Sequence, residues 1–336
     1  MARRISSEVS DDTANAAPAH RAATPWQFSW SAWRGVIRRT WKEASDDNIG
    51  LVAAGVAFYG FLAIVPLLGA VVLLYGLIAD AQTVLHDIRE LVAALPAYAA
   101  QFLASQLAEI VNASSGKKGL GLVVAVGLAL FGARNGAASI ITALNIAYEE
   151  EERRGFVRIT LLALTITAAA ALLALMAVIA IAALGHLEKL LPAMPGPVLL
   201  MGKIATYLLL ALGGAAGAAT LYRYGPDRAR ARWVWLTPGS VAAAIGWVVL
   251  TLGFGAYVAR IDDYSATYGS LSAIVVLLTW LYLSSYVLLL GAELNSELEH
   301  QTLRDTTSGV EQPLGARGAW AADHVAGSKP PEWQER

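Results

Sequence analysis

The sequence predicts an all-α integral membrane protein with six transmembrane helices, and three observations predict it. Five stretches, 49–79, 159–185, 204–222, 233–259 and 264–292, run for 19 to 31 residues without a charged side chain, and a sixth, from 119 up to Glu149, is broken only by Arg134. A hydrocarbon core about 30 Å thick takes about 20 apolar residues as a helix. Composition agrees: 56% of the chain is apolar and 15% charged, against roughly 25% charged in soluble domains. Third, the runs are continuously apolar. They lack the alternation over about ten residues that a membrane barrel strand needs, which leaves the helix as the backbone's way of satisfying itself in lipid. The spans are expected at 49–79, 120–144, 158–185, 199–222, 236–259 and 268–294, inside a membrane domain covering 46–300.

The same composition sets aside several chemistries. Net charge is −1, so nothing draws the chain as a whole to nucleic acid, and no nucleic-acid partner is expected. Cysteine is absent, which removes disulfides, thiolate metal sites and a cysteine nucleophile. There is no phosphate-binding Walker motif, and neither a cofactor nor a metal is expected.

Residues 1–25 are polar and charged without an apolar core, and read as a disordered, uncleaved tail. From 26 to 45, Trp26, Trp30, Trp33, Ile37 and Trp41 recur at helical spacing among Arg34, Arg38, Arg39 and Lys42. That pattern predicts an amphipathic interfacial helix, serving as a topology anchor or a lipid-headgroup sensor. Asp46, Asp47 and Asn48 then stand where a helix start favours capping residues. The first span carries Pro66, a packing kink or a hinge. Between 82 and 112 the pattern turns amphipathic around Pro96, predicting a helical hairpin outside the membrane that acts as a lid or a cap. Gly132 and Gly136 in the second span, and Gly213 and Gly217 in the fourth, have the spacing of close helix contacts. The loop Glu149 to Arg154 reads as a solvated charged turn, and 303–336 as a second disordered tail.

Basic residues set the orientation. If the N-terminus is cytoplasmic, the outside receives only Arg89, Lys117, Lys118, Lys189, Lys203 and Arg260 of 25 Lys and Arg in all. The positive-inside bias therefore predicts a multi-pass protein of the bacterial inner (plasma) membrane with both termini cytoplasmic.

Several segments resemble a known family. Ala53-Ala-Gly-Val-Ala-Phe-Tyr-Gly-Phe-Leu-Ala-Ile-Val-Pro-Leu-Leu68, Ala143-Leu-Asn145, Tyr222-Arg-Tyr-Gly-Pro226, Thr237-Pro-Gly239, Tyr268-Gly-Ser-Leu-Ser-Ala273, Trp280-Leu-Tyr282 and Gly291-Ala-Glu-Leu-Asn295 are similar, in order and separation, to the YihY/BrkB family, historically labelled ribonuclease BN-like. The resemblance covers about 35–300. It implies a bacterial inner-membrane protein linked to envelope integrity, lipid-precursor export or ion transport, and brings no agreed catalytic residues. Ala63 stands where a serine-like residue is expected.

The nuclease label has little chemistry behind it. His20, His86, His186, His300 and His324 are scattered and form no metal-ligand motif of the kind phosphodiester hydrolysis uses, so no enzyme is expected. Arg134 is the leading site residue. About ten residues from the basic end of its span, it lies about 15 Å deep, where an arginine costs about 2.5–3.5 kcal/mol. Asn135, Ser139 and Thr142 continue a polar stripe from it, and Glu293 is the candidate partner, although nearer the surface. The set reads either as an anion or headgroup site or as a structural buried arginine. The functional expectation is a transporter or handler of an anionic or amphiphilic envelope substrate such as a lipid precursor, with membrane lipids as partners. An ion transporter and a non-transporting scaffold are the alternatives.

Overall fold

The computed structural model describes residues 21–75, 83, 86, 120–190, 196–260 and 272–326. The hairpin expected at 82–112 therefore lies outside the described residues apart from Thr83 and His86. Helix α1 (Trp30–Asp46) follows a 3-10 turn at Pro25–Gln27. Six long helices come next: α2 (Ile49–Tyr75), α3 (Leu120–Ala147), α4 (Phe156–Leu190), α5 (Gly196–Tyr224), α6 (Trp233–Arg260) and α7 (Ser272–His300). A single turn, α8 (Trp320–Asp323), lies in the tail. Within the described residues α2, α3, α4, α6 and α7 are long and apolar enough to cross a membrane, and α5 matches them in length with 29 residues.

The six long helices close into a ring. Each packs on the next in sequence, from α2 against α3 round to α6 against α7, and α7 returns to α2. At one end the ring is filled. Ile49 and Ala53 of α2, Leu144 of α3, Tyr222 of α5, Leu236 of α6 and Leu289 of α7 form one buried cluster, and α1 and the tail cover it. We call this the capped end.

Small residues set the two tightest seams. Gly132 and Gly136 of α3 face Pro66 and Ala63 of α2, and a Cβ on Gly136 would lie 2.9 Å from that of Ala63. The glycine spacing in the second span thus marks a real close approach, and Pro66 of the continuous helix α2 is packed against it. Gly213 has no atom within 4 Å of an added Cβ, so the matching spacing in α5 marks none among the described residues. At the second seam, Gly239 of α6 and Gly291 of α7 meet backbone to backbone. Span hydroxyls mostly serve their own helix: Thr165 donates to the Leu161 carbonyl, Thr220 to Ala216 and Thr279 to Val275.

Two expected disordered segments are folded where described. Ala22 is buried, and its carbonyl accepts the Thr302 hydroxyl at 2.8 Å. Residues 303–326 pack on the capped end. Ala231 pairs with Thr307 as an isolated antiparallel bridge, and Ala229 N–H donates to the Gly318 carbonyl at 2.8 Å. The buried Arg317 guanidinium is consumed by the carbonyls of Leu303, Arg304, Gln312 and Ala322. The tail is polar because its polar groups bind one another and the α5–α6 loop, which composition alone cannot distinguish from solvation.

Helix α1 packs on the bundle through small residues. Its buried stripe is Val36, Thr40 and Ala44, while Trp26, Trp30, Ile37 and Trp41 remain exposed. It runs antiparallel along α7. Val36 packs with Leu298, Arg39 pairs with Glu297 and donates to Gln301 at 2.9 Å, and Trp41 and Ser45 reach the level of Tyr286 and Tyr282. Asn48, with φ of +53°, turns the chain into α2. Its side chain donates to the Asp46 carbonyl at 3.1 Å, so the turn depends on asparagine's tolerance of the left-handed region rather than on a side-chain cap.

Candidate functional site

Three places carry chemistry; the first stands apart, and the second and third adjoin across Tyr148. The first is the exposed flank of α3. Val124, Leu128, Phe131, Asn135, Thr142 and Ile146 form its outward stripe, beside the seam with α2, and Arg134 is half-buried at its edge. Arg134 sits at the helix midpoint, about 20 Å from either end at 1.5 Å per residue. Its guanidinium lies 4.8 Å from the Phe131 ring centroid, and among the described residues it makes no hydrogen bond or ion pair. A cation–π contact is worth about 0.5–2 kcal/mol, less than the roughly 2.5–3.5 kcal/mol that an arginine costs at this depth. The stripe below it is less available than its composition suggests. Ser139 donates to the Gly136 carbonyl at 2.7 Å and Thr142 to Ala138 at 3.2 Å. Arg134 and Glu293 are not brought together.

Glu293 belongs to the second place, the junction of α1, α2 and α7. Its side chain is 2% exposed and its Oε1 has no hydrogen-bond partner. The charged groups acting on it are Asp47, Glu297, Glu43 and Glu149, all carboxylates. Of these, Glu297 is answered by Arg39, while Lys42 bonds Asp46 at 2.6 Å and lies 3.6 Å from Glu43. Burial, with Glu43 beside it, pushes the Asp47 carboxyl above its ordinary range. Glu149, which adopts φ of +53° just past α3, is pushed up to about 7 by burial and by Asp47 and Glu43. Beside this junction is a groove of about 500 Å³ lined by Trp41, Ala44, Ser45, Asn48, Gly50, Leu51, Tyr282 and Tyr286. That volume falls within the range of small-molecule sites, about 300–1,000 Å³. Tyr282, Tyr286 and Glu293 follow one another on a single face of α7, at intervals of one and two turns.

The third place is a polar clasp on the capped end, which the sequence reading missed. Arg228 and Glu299 form a bidentate pair at 3.1 and 2.6 Å with side chains 1% and 0% exposed. Thr306 donates to the same carboxylate at 2.5 Å, and the guanidinium lies 4.9 Å from the Tyr148 ring. Burial alone opposes the Arg228 charge, but Glu299 outweighs it and holds its pKa above the ordinary arginine value. Asn145 accepts from Asp227 N–H at 2.8 Å and donates to Glu152 at 2.9 Å. Arg154 binds Glu152 at 2.7 and 2.6 Å and the Gly225 carbonyl at 2.8 Å. The loop expected to be a solvated turn is thus half of a clasp. Asn295 completes it, accepting from Gly239 N–H at 2.8 Å and donating to the Leu236 carbonyl at 3.2 Å. Among the described residues no three His, Asp or Glu side chains converge as metal ligands.

A ring of long apolar helices, five of them long and apolar enough to cross a membrane among the described residues, with a polar clasp on one end, defines an all-α integral membrane protein. The chain belongs to the family described as virulence factor BrkB, whose model matches residues 40–313. It is 29% identical over 195 residues to a Bacillus subtilis protein named as ribonuclease-like, YfkH, covering 56% of this chain and 67% of that one. UPF0761 membrane proteins from Delftia acidovorans and Albidiferax ferrireducens are 26% and 24% identical, covering 85% and 83% of this chain and 66% and 64% of theirs. Alignments to the relatives span from about a fifth to two thirds of the relatives' own lengths. No solved structure matches.

Proposed function

We propose that this BrkB-family protein binds and moves an anionic amphiphile of the bacterial envelope, such as a lipid precursor. It acts in the inner membrane with the capped end in the cytoplasm, and it is not an enzyme. The observation that carries the reading is Arg134. Its five N–H donors stand at mid-helix on an outward flank, among the described residues without an acceptor, and an anionic head entering from the bilayer would supply one. Asn135, one residue on and exposed, adds an amide to the same flank, with Ser139 and Thr142 beyond it. Gly132 packs against Pro66 and Gly136 against Ala63, and Pro66, beside this helix, is the proposed hinge. The distribution of basic residues supports the orientation.

Native mass spectrometry of the full chain in mild detergent tests the reading. Wild type is expected to retain an anionic phospholipid that Arg134→Ala loses, and lipid movement in vesicles should fall with it. Equal lipid retention by both proteins overturns the role of Arg134. Vesicles in which wild type moves no lipid would turn the assignment toward a scaffold. The ribonuclease-like name belongs to the Bacillus subtilis relative. For this chain, intact RNA after incubation with purified protein and divalent metal is the expected result.

A further inference from the structure

We infer that the outer corner where α5 turns into α6 binds an anionic phospholipid, with its phosphate at Arg223, Arg230 and Arg232 and its acyl chains along the outward face of α6. Arg134 lies elsewhere, on α3, a helix packed between α2 and α4. The corner therefore stands whether or not that arginine binds a lipid. Charge is the first ground. The Arg223 guanidinium lies 5.7 Å from the Tyr224 ring centroid and 4.7 Å from that of Trp233, and Arg230 lies 5.0 Å from the same Tyr224 ring. Two guanidinium groups are thus held against one ring. Among the described residues none of the three arginines pairs with a carboxylate. The acids of this end are engaged elsewhere: Glu299 by Arg228, Asp227 by Arg154 and Asp305 by Thr307. Like charges gathered without a counter-charge repel, and an exposed ring face answers a cation only weakly. A phosphate supplies the missing charge and several acceptor oxygens.

The second ground is the donors left over and the base that carries them. Arg223 is fixed by the Ala231 carbonyl and by the Ser308 hydroxyl at 3.2 Å. The Arg230 side chain makes no hydrogen bond among the described residues, and Arg232 uses its Nε alone, on the Thr307 carbonyl at 2.9 Å. Both side chains are exposed. Their backbone is held by the tail: the Arg230 carbonyl accepts the Ser308 N–H at 2.7 Å and its hydroxyl at 2.6 Å, and Arg232 N–H donates to the Thr306 carbonyl at 2.9 Å. The free donors therefore stand on a rigid loop, at the start of a long helix whose first N–H groups add partial positive charge.

The third ground identifies the ligand as a lipid and not a free anion. Tyr224 and Trp233 meet edge to face with centroids 6.3 Å apart, and both are exposed, as aromatics at the headgroup level are. From Trp233 an exposed run descends α6 at intervals of one turn, through Thr237, Val241 and Ile245. Thr237 turns its hydroxyl back onto the Trp233 carbonyl at 2.9 Å, so the run is apolar on its outer side. It covers about 18 Å, more than the roughly 15 Å of hydrocarbon in one leaflet. A free phosphate would use the arginines and leave this run untouched, whereas a phospholipid uses both.

The test is native mass spectrometry of the delipidated full chain carrying Arg134→Ala, which removes the other proposed lipid contact and leaves this one. Phosphatidylglycerol and phosphatidylcholine are titrated separately, with glycerol phosphate as competitor. Phosphatidylglycerol is expected to bind about fivefold more tightly or better, and Arg230→Gln should lower its affinity about fivefold while leaving phosphatidylcholine unchanged. Arg230→Lys should restore most of that loss, and Trp233→Ala should weaken both lipids. Arg230 is exposed and its side chain bonds nothing among the described residues, so its variants are expected to fold. Equal binding of the two lipids overturns the inference and leaves the Arg134 reading untouched. A phosphatidylglycerol preference that survives both Arg230→Gln and Trp233→Ala overturns the assignment to this corner. Displacement by glycerol phosphate at the concentration of the lipid shows a water-borne anion and overturns the lipid.

Discussion

Replacing Glu299 by alanine leaves Arg228 charged, 1% exposed and without its carboxylate. Removing one partner of a buried pair costs about 3–5 kcal/mol, because the remaining charge is uncompensated. The Thr306 hydroxyl loses its acceptor too, so the upper part of that range is the expected value. The loss falls where the tail docks, since Arg228 precedes the strand-like contacts of Ala229, Ala231 and Arg232 with Gly318, Thr307 and Thr306. The tail should therefore open locally before the helical ring does. When opening is fast relative to cleavage, proteolysis tracks the open population. A penalty of this size raises the cleavage rate of the tail between about a hundredfold and several thousandfold. The double variant Arg228→Met, Glu299→Leu removes both charges and should return most of the protection. If the double variant is cleaved as fast as Glu299→Ala, uncompensated charge is not the cause and the account of the clasp fails.

Three further outcomes are expected. Gly136→Val drives a side chain into Ala63 across a 2.9 Å gap and should destabilise by about 1–3 kcal/mol, lowering the thermal midpoint in detergent, while Gly213→Val leaves it unchanged. Asn295→Ala strips partners from Gly239 N–H and the Leu236 carbonyl, each unmet group costing about 1–3 kcal/mol. A variant as stable as wild type would show that the α6–α7 seam does not need it. Burial pushes Glu150 up to about 7, against the opposing Trp320 N–H bond. The folded chain then holds a proton that the unfolded chain releases above about 4.5, so stability should fall as pH rises from about 4.5 to about 7. Glu150→Gln should flatten that slope, and an unchanged slope would remove Glu150 as its source.

The spans were legible because lipid imposes one requirement on every residue in a run, and a window of twenty residues contains it. Arg134 was legible for the same reason, as the one charge in such a run. Its partner was not, because pairing depends on helix rotation: Gly132 and Gly136 turn α3 toward α2 and carry Arg134 to an outward flank, away from Glu293. The protein-facing stripe of α1 was not legible because of side-chain size. Four tryptophans outweigh Val36, Thr40 and Ala44 in any hydrophobic average, yet the small stripe is what fits against α7. The tail failed for a different reason. Arg317, Asp305 and Thr307 are polar residues whose partners are backbone groups and each other, and hydrogen-bonded polarity is indistinguishable from solvated polarity in a list of letters. Tyr282 and Tyr286 were visible at helical spacing with Glu293, but the α1 side of the groove was not.

The motifs that carry the family resemblance do not line the groove, apart from Tyr282, and they do not surround Arg134. Among the described residues, several of them meet at the capped end. Asn145 joins α3 to the α5–α6 loop, Gly225 fits beneath Leu144, Tyr222 bonds the Leu288 carbonyl at 2.7 Å, and Asn295 joins α7 to the first turns of α6. These are the points at which a ring of six helices in sequence order must be closed, since α7 has to return to α2 with α5 and α6 already in place. A residue whose side chain replaces backbone hydrogen bonds at such a joint tolerates no substitute of different shape. The family resemblance at these positions therefore bears on how the ring closes. It is silent on cargo, which is why a name taken from one relative transfers poorly to another.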